Sequence, residues 1–242
     1  MQSARMFALG YRYGRRVPAP EPPIPAAAPD AVGALEAYFD AHTVGPGITK
    51  WRHYFEIYER HLERFRGRPV GVVEIGVLGG GSLQMWRDYL GPDAHVYGVD
   101  INPASSELAR DGVEIFIGDQ GDPAFWEHFL QRLPTIDIVI DDGGHMPAQQ
   151  VVTLEALLPR IRPGGVYICE DIHGPFQPFQ SFLDGLTRPL SDVGMPGKHN
   201  PARTLHRQVA SVHRYPILTV IEKPTSCAPT FESPRHGTVW PS

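Results

Sequence analysis

Cysteine is nearly absent, with Cys169 and Cys227 the only two in 242 residues. That excludes a disulfide framework and a cysteine-built metal site. Cys169 falls in an apolar run and reads as a small buried hydrophobe rather than a nucleophile. Long hydrophobic runs are missing too: nothing approaches the roughly 18 continuous apolar residues of a membrane-spanning helix. There is no dense Lys/Arg block and the formal net charge is −5, which argues against nucleic acid as the main partner. The first residues, MQSARMFALGYRYGRR, carry only a short apolar patch broken by Arg12, a poor secretory signal. A cytoplasmic protein is therefore expected. No internal repeat is visible. What remains, 42% hydrophobic and 20% charged, is ordinary for a globular chain able to bury a full core.

What is present is organised around Val72 to Asp100, VVEIGVLGGGSLQMWRDYLGPDAHVYGVD. Val70 to Ile75 is a β-branched run suited to a strand buried on both faces. Gly76, Gly79, Gly80 and Gly81 let the backbone turn and approach a ligand closely. Ser82 is the expected cap of a helix whose apolar face carries Leu83, Trp86, Tyr89 and Leu90. His95 to Val99 predicts a second strand ending in Asp100. An acid about 20 residues past a glycine loop is placed to accept from both ribose hydroxyls of a nucleoside. The spacing is not G-x-G-x-x-G, and Glu74 stands at the entry to the loop. An acid there suits a cationic ligand such as the sulfonium and ammonium of S-adenosylmethionine, and the pattern resembles motif I of the class I methyltransferases. A merely structural tight turn is the competing reading.

Taken in order, Val17 to Pro29 holds six prolines and reads as a polyproline spacer. Residues 1–29 are expected to be an extension lying on the surface or on a neighbouring subunit, and a homo-oligomer is compatible with this. Asp30 is a candidate cap for a helix through Ala41. Gly45-Pro46-Gly47 reads as a mobile loop. From Trp51 the apolar residues Tyr54, Phe55, Tyr58, Leu62 and Phe65 follow helical spacing. Lys50, His53 and Tyr54, at the start of that helix, are candidates for a lid. Val113 to Ile117 predicts a third strand, followed by Asp119 and Gln120 near the adenine of a bound nucleoside. Asp122-Pro123 opens a helix. Ile136 to Ile140 is a fourth strand, and Pro147 opens a helix ended by Pro163-Gly164-Gly165. Val166 to Cys169 is the fifth strand. Residues 174–206 show low periodicity and read as a substrate-facing insertion. Val209 to Tyr215 and Leu218 to Glu222 flank Pro216 as a hairpin. The 224–242 tail is expected to be irregular. Strands alternating with helices predict an α/β, Rossmann-like fold: seven strands, mostly parallel, with helices on both faces and a closing antiparallel hairpin.

Strand ends four and five carry Asp141, Asp142, His145, Glu170, Asp171 and His173. Carboxylates massed at one edge repel unless a positive charge lies between them. Mg²⁺ or Ca²⁺ would answer that, since hard cations prefer oxygen. Asp142, Glu170 and Asp171 can supply three ligands, leaving positions for two oxygens of a substrate diol. His145 is then the candidate catalytic base, because imidazole titrates near neutrality. Other readings stay open: Asp141 as the cap of the next helix, one of Glu170 and Asp171 paired with an arginine in the core, His173 as a plain loop residue.

The set TKWRHYFEIYERHL, EIGVLGGGS, GVDINP, GDQGDP, IDDGGH, PGGVYICEDIH and SVHRYPILTVIEK is similar to the metal-dependent sugar O-methyltransferases of natural-product pathways, macrolide-sugar enzymes above all. The resemblance runs over residues 49 to 223. It implies magnesium on Asp142, Glu170 and Asp171, and His145 as the base. It also implies S-adenosylmethionine contacts at Glu74, Gly76, Ser82, Asp100, Asp119 and Asp141. The implied acceptor is a rhamnose-like sugar hydroxyl on a glycosylated secondary metabolite, in a methyltransferase domain spanning 30–223. This sequence departs from the family at Val44 to Lys50, which lacks the aspartate of the usual Y-G-[ST]-D-K, and at Gly144, where serine is common. A same-fold enzyme acting on a catechol, a nicotinamide-dependent oxidoreductase and a non-catalytic relative are the alternatives; Glu74 and the absent G-x-G-x-x-G weigh against the oxidoreductase.

Overall fold

The structure, a computed structural model, describes residues 33–174, 178–191, 205, 207–225 and 236. The proline-rich head, the Asp30 cap, Cys227 and most of the tail lie outside the described residues. Two helices come first, α1 (Ala34–Ala41) and α2 (Arg52–Leu62). Strands and helices then alternate: β1 (Gly71–Ile75), α3 (Gly81–Leu90), β2 (His95–Asp100), β3 (Val113–Ile117), α4 (Pro123–Leu130), β4 (Ile136–Asp141), α5 (Pro147–Leu157) and β5 (Ile161–Cys169). A helix α6 (Pro178–Thr187) and the hairpin β6 (Ser211–Tyr215) and β7 (Leu218–Glu222) complete the chain.

The seven strands run in the order β3-β2-β1-β4-β5-β7-β6. The first five are parallel, and β7 pairs antiparallel with both β5 and β6. The order reverses between β1 and β4, so the crevice outside their carboxyl ends is where such a sheet binds ligand. Side-chain alternation with period two sorts the core. Val72, Val96, Ile138, Ile140, Val166 and Ile168 pack with Tyr54, Phe55, Tyr58 and Trp86 from α2 and α3. Val73, Val99, Val139, Tyr167 and Cys169 pack on the other face with Trp126, Leu154, Phe179 and Leu183 from α4, α5 and α6. Burial pushes the Cys169 thiol up, which keeps it protonated within this second core.

Three expectations need correction. The cap of α3 is Gly80, left-handed at φ 78°, not Ser82, which lies inside the first turn. The predicted helix after Pro147 stops at Leu157, and Ile161 already opens β5, so Pro163-Gly164-Gly165 lies within the strand. Part of the 174–206 stretch is helix: α6 buries Phe179, Leu183 and Leu186.

Candidate active site

Alternation also decides where the acids point. Glu74 is two residues past Val72 on β1. Asp142 is two past Ile140, and Glu170 two past Ile168. All three therefore share the α2 face at the carboxyl ends of three adjacent strands. Into their midst comes Lys50, from the segment leading into α2. Its Nζ donates to Asp142 Oδ2 at 2.6 Å and to both Glu170 oxygens at 3.1 Å, and lies 3.6 Å from Glu74 Oε1. Its side chain is 2% exposed. Burial alone would lower the pKa of this ammonium, but Glu170, Asp142 and Glu74 together raise it above the free lysine value. Burial pushes the Glu170 carboxyl up while Lys50 pulls against that. Tyr58 also donates to Glu170 Oε1, at 2.6 Å. Thus the positive charge that the clustered acids require is supplied here by a lysine that the sequence suggested only as a lid.

Asp171 would alternate to the opposite face, but its backbone is left-handed at φ 53°. Its Oδ1 accepts from Trp51 Nε1 at 2.9 Å and Tyr54 Oη at 2.8 Å. Oδ2 then lies 3.8 Å from His145 Nε2, which is 4.0 Å from Asp142 Oδ1. His145 is itself left-handed at φ 55°. Two non-glycine residues held in this region are a strained arrangement that persists only where surroundings enforce it. Asp142, His145 and Asp171 thus face one another with potential ligand atoms within 4.8 Å. Two carboxylate oxygens fit a hard divalent cation. Glu170 turns both of its oxygens to Lys50 and joins such a set only if the lysine releases one. His173 lies 3.9 Å from Asp171 and stays exposed, and His53 faces the carbonyl of Pro216 rather than the cavity.

Beside this group lies a cavity of about 620 Å³, lined by Gly76, Asp100, Asp119, Gln120, Asp142, His145, Glu170 and Asp171 among others. That size suits a cofactor-sized ligand. Both oxygens of Asp100 accept from backbone amides: Oδ2 from Val77 and Leu78 at 3.0 and 3.1 Å, which shapes the glycine loop, and Oδ1 from Asn102 at 2.8 Å. Asp119 accepts from Gly121 N at 2.8 Å and remains exposed. Gln120 braces the neighbouring loop, donating to Asp141 at 2.9 Å and accepting from Gly144 N at 2.7 Å.

Three of the predicted cofactor contacts do not line the cavity. Glu74 is fully buried and accepts from Ser82 Oγ at 2.9 Å, so these two residues tie β1 to α3 beneath the loop. Asp141 is 2% exposed and accepts from Tyr167 Oη at 2.7 Å. Its burial pushes its pKa up to about 6. At Gly144, the amide end of the Gln149 side chain occupies the space a Cβ would take, so a serine there would require that side chain to move. The Gly45-Pro46-Gly47 loop is packed against the glycine loop, with Gly81 N donating to Gly47 O at 3.1 Å.

Gly76 has φ 86°, and a Cβ there would strike the carbonyl oxygen of Asp142. Gly76→Ala is expected to weaken S-adenosylhomocysteine binding at least tenfold by calorimetry, because strain of about 1–3 kcal/mol would move the β1 and β4 ends apart. Unchanged affinity would mean that the contact between these two ends does not shape the cavity.

Sheet order, glycine loop and strand-end cavity together give the Rossmann-like fold of the class I methyltransferases. Residues 73–172 match the family model described as a methyltransferase domain. The chain is 39% identical over 201 residues to 8-demethyl-8-alpha-L-rhamnosyl tetracenomycin-C 2'-O-methyltransferase of Streptomyces olivaceus, covering 73% of this chain and 52% of that protein. Mycinamicin VI 2''-O-methyltransferase of Micromonospora griseorubida is 38% identical over 188 residues, 69% of this chain and 47% of that protein. The MycE methyltransferase of the mycinamycin pathway, solved in complex with Mg, SAH and mycinamycin VI, superposes with a TM-score of 0.66 at 29% identity, covering 78% of this chain and 52% of that one. These relatives are sugar O-methyltransferases of macrolide and tetracenomycin pathways. The chain spans about half the length of the relatives it matches.

Proposed function

We propose that the protein transfers a methyl group from S-adenosylmethionine to a sugar hydroxyl of a glycosylated secondary metabolite, with Mg²⁺ as its metal. The observation that carries this reading is the convergence of Asp142, His145 and Asp171 at the edge of the glycine-loop cavity. The names of the relatives support the acceptor class. Residues 30–223 form the methyltransferase domain, with 1–29 as an extension and 224–242 as a tail. The partner is a glycosylated small molecule rather than nucleic acid, and the setting is the cytoplasm. No helix among the described residues is long and apolar enough to cross a membrane.

In this reading Asp142 and Asp171 would hold the ion, with Glu170, bound by Lys50, behind them. An ion held there would act as a Lewis acid and lower the pKa of a substrate hydroxyl. Trp51 and Tyr54 fix Asp171, and Lys50 fixes Asp142, so both carboxylates keep their aim when nothing is bound. His145 Nε2 takes the hydroxyl proton as the new oxygen–carbon bond forms and the carbon–sulfur bond breaks, leaving S-adenosylhomocysteine. Gly76, Asp100, Asp119 and Gln120 line the cofactor's half of the cavity. Glu74, Ser82 and Asp141 support it from below.

The test uses rhamnosyl tetracenomycin and catechol acceptors with and without EDTA. Chelation is expected to abolish transfer to the sugar while leaving S-adenosylhomocysteine affinity within about threefold, since the carboxylates face the acceptor. Full transfer in metal-free protein would overturn the role of Asp142 and Asp171. Transfer to catechol alone would replace the sugar with a phenolic acceptor.

A further inference from the structure

Trp51 stands out among the large apolar side chains. It is 52% exposed, the only aromatic among the exposed large hydrophobics of the described residues. It is also held in place. Its Nε1 donates to Asp171 at 2.9 Å, and the residue before it, Lys50, is anchored in the acid cluster. Its backbone is the cap of α2. Trp51 lines the cavity, so its fixed indole offers an aromatic wall to whatever binds there.

Its place in the sheet selects the ligand. The cofactor half of the cavity lies at the β1, β2 and β3 ends, where Asp100, Ile101 and Asp119 line it. Trp51 bonds to Asp171, just beyond β5, on the other side of the switch point. It therefore belongs to the acceptor half, beside the carboxylates that would present the reacting hydroxyl. An aromatic face carries negative charge density and attracts weakly positive C–H groups. One face of a pyranose is lined with such groups, whereas its hydroxyls point outward from the ring, free to meet carboxylates or an ion beside it.

We propose that Trp51 is the platform on which the acceptor's sugar ring stacks, and thus a specificity-determining residue. This rests on the sugar-acceptor reading above. Two substitutions separate the ring face from the N–H. Trp51→Ala removes both and is expected to raise KM for methyl α-L-rhamnopyranoside roughly tenfold or more. Trp51→Phe keeps a face and loses the bond to Asp171. It should leave KM within about threefold while weakening Mg²⁺ binding, measured calorimetrically on the S-adenosylhomocysteine complex. Circular dichroism and S-adenosylhomocysteine affinity, unchanged in both variants, would exclude misfolding.

If Trp51→Ala leaves KM unchanged in an enzyme that methylates the sugar, the platform is overturned and the sugar reading stands. The same follows if Trp51→Phe raises KM as much as Trp51→Ala, since the N–H alone would then account for the effect. If the wild-type protein methylates catechol and no pyranoside, both readings are overturned.

Discussion

Replacing Lys50 with methionine is expected to lower the melting temperature of the metal-free protein by on the order of 10 °C. The side chain is 2% exposed and its Nζ serves three carboxylates at once: Asp142, Glu170 and Glu74. Methionine matches its length but removes the charge. The acids are then left facing one another, with Glu74 and Glu170 essentially buried. Breaking a buried ion pair from one side typically costs about 3–5 kcal/mol, because the remaining charge has no partner. A second effect should follow. With Lys50 gone, Asp142 Oδ2 and the Glu170 oxygens become available to a divalent ion. Saturating Mg²⁺ should then raise the melting temperature more in Lys50→Met than in the wild type. Scanning fluorimetry with EDTA and with Mg²⁺ measures both. A metal-free variant melting within about 2 °C of the wild type would show that the acids are relieved in another way, by protonation or by water.

Lys50 also shows where sequence reading stops. The acids were legible in part: Asp142 and Glu170 stood at neighbouring strand ends, and the excess negative charge there called for a cation, but Glu74 read as a cofactor contact and its place in the cluster was seen only in the structure. The identity of that cation was not legible. Lys50 lies 92 residues from Asp142 in sequence, on a loop whose path depends on packing against the glycine loop. The nearest signal was a lone lysine before an aromatic-rich helix. The mostly parallel sheet and its closing hairpin followed from the βαβ spacing and the Pro216 turn, and β3 and β7 fall at the expected residues. Ser82 was misread because Glu74 takes its hydroxyl while a left-handed Gly80 caps the helix. Helix α6 was hidden because glycine and proline on either side obscure the apolar spacing of Phe179, Leu183 and Leu186. The direction of Asp171 depends on a positive φ, which no residue pattern announces at an aspartate.

The His145→Ala variant is expected to lose roughly a thousandfold in kcat, within the range that general-base catalysis contributes. The loss should come without a matching loss of metal affinity. His145 Nε2 lies 3.8 Å from Asp171 Oδ2 and 4.0 Å from Asp142 Oδ1, so it could serve either as a proton acceptor or as a third ligand. The two roles differ in what the variant retains. A hard ion held by carboxylate oxygens keeps most of its affinity when a nearby imidazole is removed. A ligand role would instead make kcat and Mg²⁺ affinity fall together. Exogenous imidazole provides the complementary test, because the side chain is 36% exposed and small bases can enter the gap it leaves. Backbone strain offers a control. His145 sits at φ 55°, where alanine is strained and glycine is not. His145→Gly should therefore be at least as stable as His145→Ala and equally slow. If metal affinity falls in proportion to kcat, and imidazole restores nothing to either variant, His145 binds the ion and the base must be sought elsewhere.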